Sequence, residues 1–330
     1  MRILITGGAG FIGSHVTRHM VAHGHQVCVA TRNTYATKWK ALADILPQID
    51  VLIGDLAEPY FAEVCAGWRP EWVLHMAAET HVDRAIEDPA CFIRSNTLAT
   101  TMLLQALWGC PLPKKIIIYS TDEVFGSTPP GQAFDEETPY NPSNAYSASK
   151  VGIEAIAHSF WVTHQMPVVI VRPCNTYGPG QHPEKVIPKF VQQLLSQQPI
   201  TLYNDGNGSR DWLHVADHAQ AIAVLLDHGI PGRSYNLGAN EEHTDREIAE
   251  RSIQTLHCRV KSPLPCRVTS VPGRPGHDRR YMMDNARICA LGWKPERPFT
   301  AGLHETVVWN IAHQDWWDTD SLRIPEVAHA

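Results

Sequence analysis

Between Ser120 and Lys150 the chain brings together side chains that can move protons. Thr121, Asp122 and Glu123 place a hydroxyl beside two carboxyl groups. Tyr146 and Lys150 stand four residues apart, the spacing that puts both on one helical face. An ammonium beside a phenol favours the phenolate, so this tyrosine is expected to titrate nearer neutrality than a free one. Two carboxyl groups closed into one pocket repel, so one should keep its proton at neutral pH while the other loses it. The set offers one base for an alcohol, plus an acid and a second base for an elimination. An isolated Asp–Glu pair is more often a solvated or capping pair. Here Thr121 precedes it, a strand end lies beneath it and Tyr146 is nearby in sequence.

The elements around this stretch predict how it is held. KIIIYS (115–120) is almost wholly apolar, as a strand buried on both faces should be. Thr121, Asp122 and Glu123 then sit at the C-terminal end of a parallel strand, where open α/β sheets bind ligands. Further strands are expected at RILIT (2–6), VCVA (27–30), VLIGD (51–55), WVLHMAA (72–78), PVVIVRP (167–173) and SYNLG (234–238). Helical patterns cover the segment closed by Gly24, then 56–67, 91–108 and 146–165. Past residue 178 the alternation weakens into Pro-, Gly- and polar-rich segments. The expected fold is α/β, a Rossmann-type doubly wound parallel sheet with a smaller mixed α/β C-terminal substrate lobe. The division expected is 1–175 for the dinucleotide-binding domain, with returning segments about 211–240. Residues 176–210 and 241–330 would form the nucleotide-sugar-binding lobe.

GGAGFIG follows the first strand and opens a helix. Its glycines read as Gly8, Gly10 and Gly13 or as Gly7, Gly10 and Gly13. Either spacing suits a tight turn that lets a dinucleotide pyrophosphate approach backbone N–H groups at a helix N-terminus. The acidic residue that should end the second strand is missing; Thr31 and Arg32 stand there instead. A hydroxyl and a guanidinium suit the 2′-phosphate of NADP, or Arg32 stacks over adenine or points into water, and the residues alone leave this open. Asp55 either takes the adenine amino group or caps the next helix. The small residues closing WVLHMAA would admit the nicotinamide ribose. His15, His19 and His23, like His214 and His218, have the i, i+4 spacing of zinc ligands, but such pairs still need a third or fourth ligand and a second shell. Metal is therefore not expected, and the first three are expected on the exposed side of their helix.

Composition narrows the partners. The chain has 330 residues, 44% hydrophobic and 19% charged, with a net charge of −6. That is enough for one large or two modest cores. No basic run grips nucleic acid or a membrane surface. No stretch near Met1 reads as a signal peptide, and none approaches a membrane span. Eight cysteines show no CxxC pair, as in a cytoplasmic protein with reduced thiols.

GGAGFIGSH, HMAAETHVDRAI, STDEVFG, YSASK, NTYGPGQHPEKVIP, SRDWLHVADH, PGHDRRY and LGW together resemble the dTDP-glucose 4,6-dehydratases of the extended short-chain dehydrogenase/reductase superfamily. The likeness runs over nearly the whole chain. The glycine turn and Tyr…Lys pair identify only the superfamily; the Asp–Glu pair joined to PGHDRRY is more specific. The resemblance implies a hydro-lyase of deoxysugar biosynthesis with a tightly bound NAD that is regenerated each cycle. Tyr146 would take the C4 hydroxyl proton of the sugar as hydride leaves C4, with Lys150 lowering its pKa and Thr121 holding the C4 oxygen. Glu123 would remove the C5 proton, Asp122 would help the C6 hydroxyl leave as water, and hydride would return to C6.

The resemblance also assigns contacts. The cofactor would meet Gly7, Gly10, Phe11, Ile12, Gly13, Thr31, Arg32, Asp55, Leu56, Ala77, Ala78, Asn96, Tyr146 and Lys150. The nucleotide-diphosphate sugar would meet His81, Thr121, Asn175, Lys185, Arg210, Asn236 and His277. Arg210 could instead serve a nearby Asp; His81 and Asp83 could line the sugar pocket, or Asp83 and Arg84 could simply pair with each other. The helices at 91–108 and 146–165 would form a homodimer interface. Two departures stand out: no acid near Thr31, which puts NAD against NADP in doubt, and Thr176 where a second Asn is usual. A UDP-sugar 4-epimerase or UDP-glucuronate decarboxylase would share Thr, Tyr and Lys. A binding protein without catalysis would share only the fold.

Overall fold

Apolar runs alternating with helices build the first half of the chain, as a computed structural model that describes residues 1–258, 267–273 and 278–317 shows. The strands are β1 (Arg2–Thr6), β2 (Gln26–Thr31), β3 (Ile49–Ile53), β4 (Trp72–His75), β5 (Lys115–Tyr119) and β6 (Val168–Pro173). Then come β7 (Asn175–Tyr177), β8 (Ile200–Tyr203), β9 (Ser209–His214), β10 (Ser234–Leu237), β11 (Glu242–Thr244), β12 (Val268–Val271) and β13 (Arg280–Tyr281). Seven form one sheet in the order β10-β6-β5-β4-β1-β2-β3, every pairing parallel. The order reverses beside β1, so a crevice opens above the ends of β1 and β4. β5 is buried along its whole length, as its unbroken apolar run requires.

The first helix, α1 (Phe11–Ala22), starts directly after the glycine turn. α2 (Pro59–Gly67) begins later than the sequence pattern suggests. Asp55 Oδ1 takes the Ala57 N–H at 2.9 Å in a local turn. Pro59, which lacks an N–H, then suits the first helical turn. The same turn ends β3 two residues short of the expected Asp55. Helices α3 (Val82–Glu87) and α4 (Pro89–Phe92) precede a wide π-helical turn, Ile93–Leu98, before α5 (Ala99–Trp108). The single helix expected over 91–108 is thus interrupted, at the point where Asn96 turns inward. α6 (Ala145–His164) starts with a capping box between Asn144 and Ser147, which fixes where its first turn presents Tyr146.

Beyond β6 the small sheets take over. β9 pairs antiparallel with β11 and parallel with β7 and β13, while β8 pairs with β12. Helices α7 (Val186–Leu195), α8 (Val215–His228), α9 (Asp245–His257), α10 (Ala286–Cys289) and α11 (Phe299–Ala312) complete the fold. Tyr177, Phe190, Leu202, Trp212, Leu256, Phe299 and Leu303 form their own apolar core beneath these sheets, apart from the cores on the two faces of the large one. No helix among the described residues is long and apolar enough to cross a membrane. The seven cysteines among them are all free thiols.

Candidate active site

The glycine turn decides between the two spacings read from sequence. Gly7 has φ +70, where a side chain would be strained, and a Cβ there would meet the Ala77 backbone at 2.9 Å. A Cβ on Gly13 would sit 2.1 Å from the Gly7 carbonyl oxygen. Gly7, Gly10 and Gly13 line the crevice, and Gly8 does not. The turn is therefore a cradle that any Cβ would fill, at the N-terminus of α1, and a pyrophosphate fits it.

Around this cradle the crevice collects Phe11, Ile12, Thr31, Arg32, Asp55, Leu56, Ala77 and Ala78 at one end. Thr121, Asp122, Glu123, Tyr146, Lys150 and Asn175 line the other. A second recess opens beside it, lined by His81, Lys185, Arg210 and Tyr281, and shares Glu123, Asn175 and Lys185 with the first. The two carboxyl groups lie inside the crevice with the phenol, not facing bulk water: Asp122 is 4% exposed and Tyr146 7%.

Local structure explains their setting. Thr121 caps a short 3-10 turn, Asp122–Phe125, where β5 ends. Its Oγ1 accepts the Glu123 N–H at 3.4 Å and donates to Asp122 Oδ1 at 3.0 Å. Asp122 Oδ2 is buried without a hydrogen-bond partner. Burial, then the neighbouring Glu123, pushes the Asp122 pKa up to about 7. Burial also raises Glu123, while a hydrogen bond from Asn144 and the charges of Arg210 and Lys185 pull it back. An acid and a base can therefore coexist here near neutral pH.

One expectation fails in this arrangement. Burial, and then the Glu123 carboxylate, hold the Tyr146 phenol above its ordinary value. Lys150, on the same helical face, donates its Nζ to the Tyr119 carbonyl at 3.0 Å. Burial lowers the lysine itself to about 8. The sequence spacing put both groups on one helical face, but it could not show how dry that face is.

Other expected contacts fall in different places. Asn96 braces the wall: its side chain bonds the Glu79 N–H at 2.8 Å, the Glu79 carbonyl at 3.1 Å and Ser149 Oγ at 2.9 Å. It does not line the crevice. Asn236 lies on the edge strand β10, fully buried, and donates to the Phe134 carbonyl at 3.0 Å, outside both recesses. His277 lies outside the described residues. Arg32, read as a 2′-phosphate site, is bound by Glu79 at 2.6 Å and lies 3.6 Å from Asp55. Glu79 supplies the negative charge that β2 lacks, from forty-seven residues away in sequence.

In the second recess, Arg210 stacks on Tyr281 at 4.6 Å and donates to the carbonyls of Asp278 and Arg279 at 2.9 and 3.1 Å. Its guanidinium and the Lys185 ammonium give this recess the character of an anion site. Lys185 Nζ lies 3.7 Å from Glu184. His81 Nε2 approaches Glu184 at 3.5 Å, and its buried Nδ1 has no hydrogen-bond partner. Thr176 turns its hydroxyl to His218 Nδ1 at 2.9 Å.

Sequence reasoning missed the strap over the crevice. Tyr35 meets Arg84 at 3.8 Å and His182 at 5.3 Å, joining three separate segments. The NTYATK run gave no periodic signal of this. Arg84 therefore serves the strap. His15 also departs from expectation: it is not on an exposed face, since its Nε2–H donates to the Pro179 carbonyl at 2.9 Å. Among the described residues no group of three or more metal-ligating side chains could hold a metal ion.

Comparison with known proteins agrees with this geometry. Residues 3–238 match the model of the NAD dependent epimerase/dehydratase family. A dTDP-glucose 4,6-dehydratase of Streptomyces niveus is 40% identical over 99% of this chain and 97% of its own length. One from Escherichia coli K12 is 36% identical over 96% of this chain and 95% of its own. The crystal structure of DesIV, a dTDP-glucose 4,6-dehydratase from Streptomyces venezuelae with NAD bound, superposes with a TM-score of 0.89. It is 36% identical and covers 98% of this chain and all of that one. A UDP-glucose 4-epimerase from Thermus thermophilus with NAD gives 0.87 at 30% identity, over 95% of this chain and all of that one.

Proposed function

The chain belongs to the NAD dependent epimerase/dehydratase family and, within it, to the dTDP-glucose 4,6-dehydratases, and we propose that it removes water from a nucleotide-diphosphate hexose, dTDP-glucose first. The observation that carries this reading is the buried Asp122–Glu123 pair, one carboxyl raised to about 7, beside Tyr146 and Lys150 in a crevice with a dinucleotide cradle. An epimerase that re-reduces a rotated ketone has no use for a desolvated carboxyl pair. The same pair argues against an idle binding protein.

Gly7, Gly10, Gly13, Asp55 and Arg32 would hold NAD, which would supply a reversible hydride acceptor and a positive charge that favours a phenolate at Tyr146. The Arg32–Glu79 pair favours NAD over NADP, because a 2′-phosphate would have to displace Glu79. Tyr146 takes the proton of the sugar C4 hydroxyl, and Thr121 holds the C4 oxygen. Lys150 neutralises charge next to both. Oxidation at C4 makes the C5 hydrogen acidic, and Glu123 removes it. Asp122, still protonated, gives its proton to the departing C6 hydroxyl. Lys185, Arg210, Asn175 and His81 hold the nucleotide diphosphate in the second recess.

We also divide the chain as its sequence suggested, with residues 1–175 and about 211–240 for the dinucleotide and the remainder for the nucleotide sugar. Ile93, Leu98, Trp108 and Val162 leave an apolar face exposed on the helices around 91–108 and 146–165, which supports a homodimer there. Free thiols support a cytoplasmic location. The test uses dTDP-glucose labelled at C4. A dehydratase moves that label to C6, takes a solvent hydrogen at C5 and yields a 4-keto sugar, while the denatured protein releases NAD. Label retained at C4 with no keto product overturns the proposal.

A further inference from the structure

Beneath the crevice lies an ion pair that the proposed reaction does not use. The side chains of Glu154 and Arg172 are 0% and 4% exposed. The single carboxylate of Glu154 accepts from Arg172 Nη2 at 2.6 Å, Arg172 Nε at 3.0 Å, Tyr140 Oη at 2.9 Å and the Ser120 hydroxyl. Ser120 immediately precedes Thr121, so this carboxylate grips the entry to the turn that carries Asp122 and Glu123. Arg172 lies 4.9 Å over the ring of Phe125, the last residue of that turn. Asn141, next to Tyr140, donates its N–H to the Val124 carbonyl at 2.9 Å. One end of the catalytic turn thus meets Glu154 through Ser120, and the other meets its partner Arg172 through Phe125. Glu154 itself stands one helical turn past Lys150 on α6 and two past Tyr146.

Stability alone is a poor reason for this pair. Desolvating two charges costs several kcal/mol, and apolar residues of similar volume often serve a core as well or better. What an ionic pair adds is a fixed geometry. We propose that Glu154 and Arg172 form a buried clamp that sets the carboxyl-bearing turn against the tyrosine–lysine helix, making Ser120, Glu154 and Arg172 positioning residues for the dehydration. The kinetic part rests on the dehydratase reading above.

Electrostatics supports the same assignment. Lys150 donates to the Tyr119 carbonyl from β5, and its charge acts on His75 of β4, whose imidazole burial holds down to a pKa of about 3. Glu154 is the anion that opposes the lowering of Lys150 by burial.

The test compares the holoprotein with Glu154→Gln, Arg172→Met and Ser120→Ala. Ser120→Ala leaves the ion pair intact and guards against variants that fail to fold. The expected result is a roughly tenfold to hundredfold fall in kcat, the scale that a misplacement near 1 Å costs, with KM for dTDP-glucose within about twofold. Amide hydrogen exchange over residues 121–126 should rise in every folded variant. The alkaline limb of kcat should move to lower pH in Glu154→Gln but not in Ser120→Ala, a split that a merely structural role would not give. Unchanged exchange in Ser120→Ala, or kcat within about twofold of wild type, overturns the clamp. Exchange is read without substrate, so a wild type that yields no keto sugar sinks the dehydratase reading while exchange still decides the clamp.

Discussion

Replacing Asp122 by asparagine should make the protein more stable at neutral pH while slowing its chemistry. The carboxyl is 4% exposed, one oxygen has no partner, and its pKa is raised from 3.8 to about 7. For a group raised on folding, the folded state holds a proton that the unfolded chain has released. Its favourable contribution is complete below the unfolded value and is lost as pH rises through the folded one. Wild type should therefore weaken, relative to Asp122→Asn, between about pH 4 and pH 7. Each pH unit inside that window is worth about 1.4 kcal/mol, so the gap should widen by about 2.5 kcal/mol from pH 5 to pH 7. An unpartnered amide costs about 1–3 kcal/mol, but that cost is the same at both pH values and cancels. Thermal midpoints of both proteins at pH 5 and pH 7 measure the change, expected for a chain of this length as a differential shift of about 4 °C. Parallel pH dependence of the two proteins would show that Asp122 is not a desolvated acid, and the division of labour with Glu123 would go with it.

Glu123→Gln should suppress solvent exchange at C5 by roughly a hundredfold or more while leaving reduction of the bound cofactor measurable. Isotope incorporation and single-turnover absorbance read the two steps separately. Glu79→Gln should free the Arg32 guanidinium and raise the share of NADP among dinucleotides released on denaturation; an unchanged share would mean that Glu79 does not set the preference. Trp108→Glu combined with Val162→Lys should turn a dimer into monomer in sedimentation, because the two side chains are 52% and 54% exposed on the proposed interface. A species of unchanged mass would place the interface elsewhere.

The sequence by itself made the strands of the large sheet and the candidate reacting groups legible. Short β-branched runs such as KIIIY, bounded by turn signals, read as buried strands, and a glycine turn between strand and helix reads as a close backbone approach. Tyr146 and Lys150 follow from helical spacing, and Thr121, Asp122 and Glu123 from their place at a strand end. These are local facts, carried by neighbours in the chain. The tertiary structure decided what depends on distant partners. Glu79 reaches Arg32 from another loop and removes the NADP argument that Thr31 and Arg32 alone had raised. Asn96 and Asn236 carry suitable amides, but Asn96 braces Glu79 and Ser149 and Asn236 donates to the Phe134 carbonyl. The phenol of Tyr146 lies in a site too dry, and too near Glu123, for the shift its spacing suggested. Ser120, Glu154 and Arg172 meet only when β5, α6 and β6 pack. Burial and charge are sums over everything that surrounds a group, and only the folded chain fixes those surroundings.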